Sequence, residues 1–173
     1  MTRIEVRSYY GQPVLHTPVW KAEVPWYLFT GGLAGAASVL AVTAELTGRS
    51  NLARTARGVA LGGALASPAF LVSDLGQPAR FLNMLRVFRP TSPMSMGAWL
   101  LSAYVPAAGA AAVLDLAGVL PRAGRVAGTA AALTGSMLTT YTGVLLADTA
   151  VPVWHEAHRE LPFLFAASAA TAA

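Results

Sequence analysis

The spacing of charged residues constrains this chain more than any other feature of it. An ionised side chain at the centre of a bilayer costs roughly 2.5–3.5 kcal/mol even on a lenient insertion scale, so a long interval without charge marks a segment able to cross. Glu23 and Glu45 bracket 21 uncharged residues, Arg89 and Asp115 bracket 25, and Arg125 and Asp148 bracket 22. Arg57 and Arg80 bracket 22 residues of which only Asp74 is charged. A spanning helix needs about 20. Every Lys and Arg falls outside these four stretches, in loops at 47–57, 77–93 and 119–125 or in the segments before 23 and after 147. The pattern predicts an all-α polytopic membrane protein: a four-helix transmembrane bundle over residues 23–160, with spans at about 24–46, 57–76, 95–117 and 124–147.

A further apolar run opens at Leu161 with proline in its first turn, a favoured place for it. Residues 161–173 would rise roughly 20 Å at 1.5 Å per residue, against a hydrocarbon core about 30 Å thick. They are expected to be an incomplete fifth helix, either truncated or re-entrant. Residues 1–22 hold Arg3, Glu5, Arg7 and Lys21 and no apolar run of signal-peptide length, and they read as an ordered or docking N-terminal arm.

Composition removes several function classes. Charged residues make up 12% of the chain, about half the share of a soluble domain. The net charge of +4 is not arranged as a basic stripe interleaved with aromatics, so nucleic acid is not an expected partner. With no cysteine, the chain cannot ligate an iron-sulfur cluster by thiolate or form a disulfide. His16, His155 and His158 all lie outside the spans, which argues against haem held between facing helices and leaves no evident metal site. No phosphate loop, nucleophile elbow or HExxH element occurs. The lipid bilayer is the partner that composition itself names.

Small residues recur at four-residue spacing, as close helix packing in lipid requires: Gly31 and Gly35, then Gly58, Gly62 and Ala66, then Gly124, Gly128 and Ala132. Pro68 and Pro106 fall inside spans and should kink them or free a carbonyl. In an up-and-down bundle the starts of odd helices and the ends of even ones share a side. That side receives Glu23, Trp26, Tyr27, Asp74, Ser92, Ser95, Met96, Tyr141 and Asp148. The other side holds Glu45, Arg49, Arg54, Arg57, Asp115, Arg122 and Arg125, which read as ordinary charged turns. Glu23 and Tyr27 are four residues apart; Ser67, Phe70 or Leu71, and Asp74 form a stripe, as do Thr134, Leu138, Tyr141 and Asp148. Asp74 sits where the helix dipole is negative, so it needs a stabiliser: an ion pair with Lys21 or Arg80, a capping role, or a part in proton transfer. Trp26 suits an interfacial belt, and Tyr141 either that belt or a site about two turns inside.

Four stretches resemble the NrfD family, the membrane subunits typified by polysulfide reductase: WYLFTGGLAGA at 26–36, DLGQPARFLNMLRVFRPTSPMSMGAW at 74–99, YTGVLLADTAVPVWHEA at 141–157 and LPFLFAASA at 161–169. The resemblance implies a quinone-reactive membrane subunit of a multisubunit oxidoreductase in the cell membrane. It would sit beside a ferredoxin-like iron-sulfur subunit that relays electrons to or from a molybdopterin-type catalytic subunit. It implies menaquinone or ubiquinone in the first four-helix bundle, with Tyr141, Glu23 and Tyr27 around the head group and Asp74 on a proton path. Asp148, on the same rim, is a second expected proton-transfer group. Proton translocation and simple anchoring are the alternative roles. Family members carry further helices beyond the fifth.

Overall fold

The computed structural model describes residues 21–74, 77, 79, 81–149 and 151–173. Among these there are seven helices and no strand: α1 (Glu23–Leu46), α2 (Ser50–Asp74), α3 (Phe81–Met84), α4 (Pro93–Ala117), α5 (Pro121–Ala147), α6 (Pro152–Glu156) and α7 (Leu161–Ala172). α1, α2, α4 and α5 are long and apolar enough to cross a membrane. The chain is an all-α, multi-pass membrane protein. Most of the N-terminal arm, His16 and Arg80 lie outside the described residues.

The four long helices form a closed ring in which α1 packs on α2, α2 on α4, α4 on α5 and α5 on α1; α7 lies in the groove between α5 and α1. α7 has 12 residues, about 18 Å of rise, and is shorter than a bilayer core. Side-chain sizes are inverted relative to a soluble bundle. The interior is built from Ala34, Ala37, Ala64, Ala108 and Ala131, while Leu65, Val113, Val126, Leu133 and Met137 face outward. This is the arrangement lipid favours: apolar tails solvate large side chains, so the helices associate through close contact of small ones.

Three glycines set that contact. Gly35 on α1 faces Gly135 on α5 so closely that a Cβ on either would enter the other's backbone. Gly63 does the same on α2, where a Cβ would lie 2.7 Å from the Thr30 carbonyl oxygen of α1. The stripe expected at Gly58 and Gly62 is not the packed one: both glycines have open space around them, and α2 instead buries Ala53, Ala56, Ala60, Gly63, Ala64 and Ser67. Spacing points to the Gly58 and Gly62 face, and contact with α1 puts the packed face elsewhere on the helix.

Local chemistry defines the ends. Ser92 is extended and caps α4 through its side chain, with Pro93 in the first turn; Gly118 closes the same helix at φ 65°. Leu120 then turns at φ 49° before Pro121 opens α5. α2 begins at Ser50, seven residues before the expected span, because Arg54 and Arg57 belong to its first turns. Charge marks where the bilayer ends, whereas hydrogen bonding continues the helix beyond it.

In mid-bundle the buried polar pair is Tyr104 and Ser38. Tyr104 is fully buried, its hydroxyl is 2.9 Å from Ser38 Oγ, and Ser38 donates to the Ala34 carbonyl. Tyr104 is therefore the donor to Ser38, and each hydroxyl is satisfied.

Candidate functional site

The antiparallel ring brings the start of α1, the end of α2, the start of α4 and the end of α5 to one end of the bundle, where they enclose a cavity of about 200 Å3. Its wall is mostly carbon, including Leu28, Leu71, Met84, Met94 and Leu138, with Tyr27, Asp74 and Tyr141 converging from three helices. A mainly apolar chamber with a few placed polar groups is the general form of a small-molecule site.

Each polar group is held differently. Tyr141 donates its hydroxyl to the Pro93 carbonyl at 3.1 Å, which fixes the ring against the first turn of α4. Gly97 makes that position accessible, since a Cβ there would fall within the Tyr141 ring. Ser67, 1% exposed, donates to the Tyr27 carbonyl at 3.0 Å and ties α2 to α1 at the cavity wall. The Tyr27 phenol lies within electrostatic reach of both Asp74 and Tyr141, and it makes no hydrogen bond to another described residue. Asp74 pairs with Lys21 at 3.8 Å, with 64% of the lysine side chain and 30% of the carboxylate side chain exposed. The lysine thus stands at a wet mouth, and the ion pair is one of the stabilisers that the position of Asp74 in a negative helix end calls for.

The other residues on the expected rim behave differently. Glu23 opens α1 and Asp148 follows the last turn of α5, and neither lines the cavity. Ser92 and Ser95 serve the backbone: Ser95 Oγ accepts from the Arg89 amide and donates to the Val87 carbonyl. Met94, not Met96, lines the cavity, at its exposed edge. Trp26 is 56% exposed and stacks on Phe70, as a belt residue does. His155 and His158 each direct Nδ1 to a backbone carbonyl at 3.1 Å. Among the described residues no group of three or more potential ligands could hold a metal.

The opposite end corrects the expectation of ordinary charged turns. Arg57, with a side chain only 13% exposed, bonds Asp115 at 2.8 Å and also bonds Glu45. Arg54 and Arg125 stand 4.0 Å from Asp115 and Glu45 respectively. Three helices are joined there by one guanidinium. Sequence spacing missed it because the three residues are far apart in the chain and meet only once the helices are antiparallel.

Sequence reasoning also missed Gly97 and Thr142. Gly97 stands next to Ala98 and four residues before Leu101, on the inward face of α4; Thr142 follows Tyr141 directly. Thr142 is 8% exposed, lines the cavity and donates to no described group.

Comparison with known proteins gives one result. A family model described as polysulphide reductase, NrfD, matches residues 12–173. No curated protein and no solved structure matches.

Proposed function

Since this chain belongs to the NrfD family, we propose that it is the quinone-interacting integral-membrane subunit of a multisubunit oxidoreductase in the cell membrane. In this reading it passes electrons between menaquinone or ubiquinone and a ferredoxin-like iron-sulfur subunit, with a molybdopterin-type catalytic subunit beyond. The observation that carries it is the convergence of Tyr27, Asp74 and Tyr141 on one apolar cavity at one end of a four-helix ring.

The residues fit such a head group. An apolar wall would accept a ring, and the two phenols and the Thr142 hydroxyl in the same lining would serve as donors to ring carbonyls. A quinone, when bound, supplies the two-electron, two-proton chemistry, and the chain supplies position and hydrogen bonds. Tyr27, whose phenol has no other described partner, donates into the cavity. Tyr141 offers its ring edge and a hydroxyl that exchanges its Pro93 bond for one to the ligand. Asp74, beside the exposed Lys21, moves protons between cavity and water. Glu23 and Asp148, outside the cavity wall, would serve only the approach to it.

Tyr141→Phe in the purified complex tests this. Loss of one hydrogen bond worth about 1 kcal/mol should lower quinone-linked turnover roughly fivefold to tenfold with assembly intact. Unchanged turnover removes Tyr141 from the site. Co-purification of an iron-sulfur protein together with bound quinone separates this reading from a simple anchoring role.

Proton translocation is a second reading, favoured by the Ser38 and Tyr104 hydroxyls standing between the Asp74 end and the Arg57 cluster. A void of about 10 Å3 lined by Ser38 and Arg57, near the space of one water, adds a link. Proton uptake by sealed vesicles containing wild type or Asp74→Asn discriminates: only translocation loses uptake disproportionately to turnover.

A further inference from the structure

The cavity has room for a ring and little more. At about 200 Å3 it falls below the roughly 300 Å3 at which pockets for drug-sized ligands begin, so a head group bearing a long apolar chain needs a second space.

That space adjoins the first. A groove of about 260 Å3 runs between α1, α5 and α7, and Leu28 and Thr142 line both it and the cavity. Phe29, Leu33, Leu146 and Phe165 give it a carbon wall. Thr139, Thr142 and Ser168 bring the hydroxyls of its lining, and that of Thr139 is committed to the Ser136 carbonyl at 2.7 Å. α7 is seated at two points that hold the groove open: the Leu161–Pro162 backbone presses on Gly143, and Ala169 Cβ would lie 3.5 Å from a Cβ on Gly32. Phe29, half exposed, marks the flank that faces hydrocarbon.

We propose that this groove is the seat and lateral entry path of the isoprenoid tail, which leaves the cavity between Leu28 and Thr142. The inference rests on the reading of the cavity as a quinone head-group site. Two features argue for this occupant. The groove adjoins the cavity, with Leu28 and Thr142 in the wall of both, and it lacks the phenols and the carboxylate that the cavity gathers. Thr142, buried and with a hydroxyl that pairs with no described group, stands at the boundary where a polar head gives way to an apolar chain.

The test uses the full chain in nanodiscs and quenching of tryptophan emission by 2-methyl-1,4-naphthoquinone, with and without an isoprenoid tail, alongside the corresponding benzoquinone pair. Ser168→Phe fills the groove from its exposed rim, and Phe165→Ala widens it; neither residue lines the cavity. With quinone counted per bilayer volume, wild type should bind the tailed form at least about tenfold more tightly, because a tail already out of water gains from close packing against the groove wall. Ser168→Phe should bring the two forms close to equal affinity while tail-less binding stays as in wild type, and Phe165→Ala should change only the tailed form. A tailed-to-tail-less ratio unchanged in both variants overturns the route while leaving the head-group site standing. If Ser168→Phe loses both forms, the ratio in Phe165→Ala decides. Failure of wild type to bind either form overturns the functional reading itself.

Discussion

Tyr141 and Gly97 share one volume across α5 and α4: the phenol ring lies where any side chain on Gly97 would have to be. The hydroxyl then reaches the Pro93 carbonyl one turn earlier on α4, so one helix supplies both the space and the anchor for the ring.

Gly97→Ala should therefore act on Tyr141. Overpacking of this kind costs roughly 1–3 kcal/mol, and it should shift the ring from the Pro93 carbonyl. Quinone-linked turnover should fall at least as far as in Tyr141→Phe. Because the clash is with the ring, adding Tyr141→Leu should recover most of the lost stability. Additive losses in thermal unfolding of the double variant would show that the two positions do not act through this contact.

Arg57 joins α2 to both α1 and α4 through Glu45 and Asp115. Arg57→Leu leaves the partly buried Glu45 and Asp115 with only the exposed Arg125 and Arg54, each 4.0 Å away. The loss should be about 1–3 kcal/mol, below that for a fully buried pair. Replacing all three, as Glu45→Gln, Arg57→Leu and Asp115→Asn together, should be milder than Arg57→Leu alone. Arg57→Lys should fall between, since one ammonium cannot reproduce a fork that serves two carboxylates. Unfolding of the purified bundle in denaturing detergent gives the ranking.

How much of this was legible in the sequence follows from what each residue type reports. The four spans were legible because charge is excluded from hydrocarbon, and the intervals bounded by Glu23, Glu45, Arg89, Asp115, Arg125 and Asp148 follow from that exclusion alone. The end at which Tyr27, Asp74 and Tyr141 gather followed from alternation of helix direction. Which residue of a rim points inward did not follow. Glu23 and Tyr27 lie four apart on one helix, yet only Tyr27 lines the cavity. The Arg57 cluster and the Gly35–Gly135 contact depend on how two helices are rotated against each other, information that no single segment holds.

The glycines of α2 give a direct check on that rotation. Gly63→Ala should be destabilising by about 1–3 kcal/mol, because its Cβ would crowd Ala34 and the Thr30 carbonyl. Gly58→Ala and Gly62→Ala have open space, so each should be neutral or stabilising by roughly 0.5–1 kcal/mol through reduced backbone freedom. The same ordering should hold for Gly35→Ala and Gly135→Ala on the destabilising side. Thermal unfolding of the single variants in one detergent measures all five, and a reversed order between Gly63 and Gly62 would place the α1 contact on the wrong face of α2.

Lys21 and Asp74 separate structural from chemical roles at the mouth of the cavity. Their pair is 3.8 Å long and well exposed, so it contributes only about 0–1 kcal/mol to stability. Lys21→Gln and Asp74→Asn should both unfold near the wild-type temperature. Turnover should distinguish them. Asp74→Asn keeps the shape of the side chain but cannot carry a proton, so quinone-linked turnover should fall while binding of a tail-less quinone holds. Lys21→Gln, which leaves the carboxylate in place, should retain most of the activity. If both variants lost activity equally, the ion pair itself would be what matters, through its hold on the end of α2; if neither did, protons reach the cavity without Asp74.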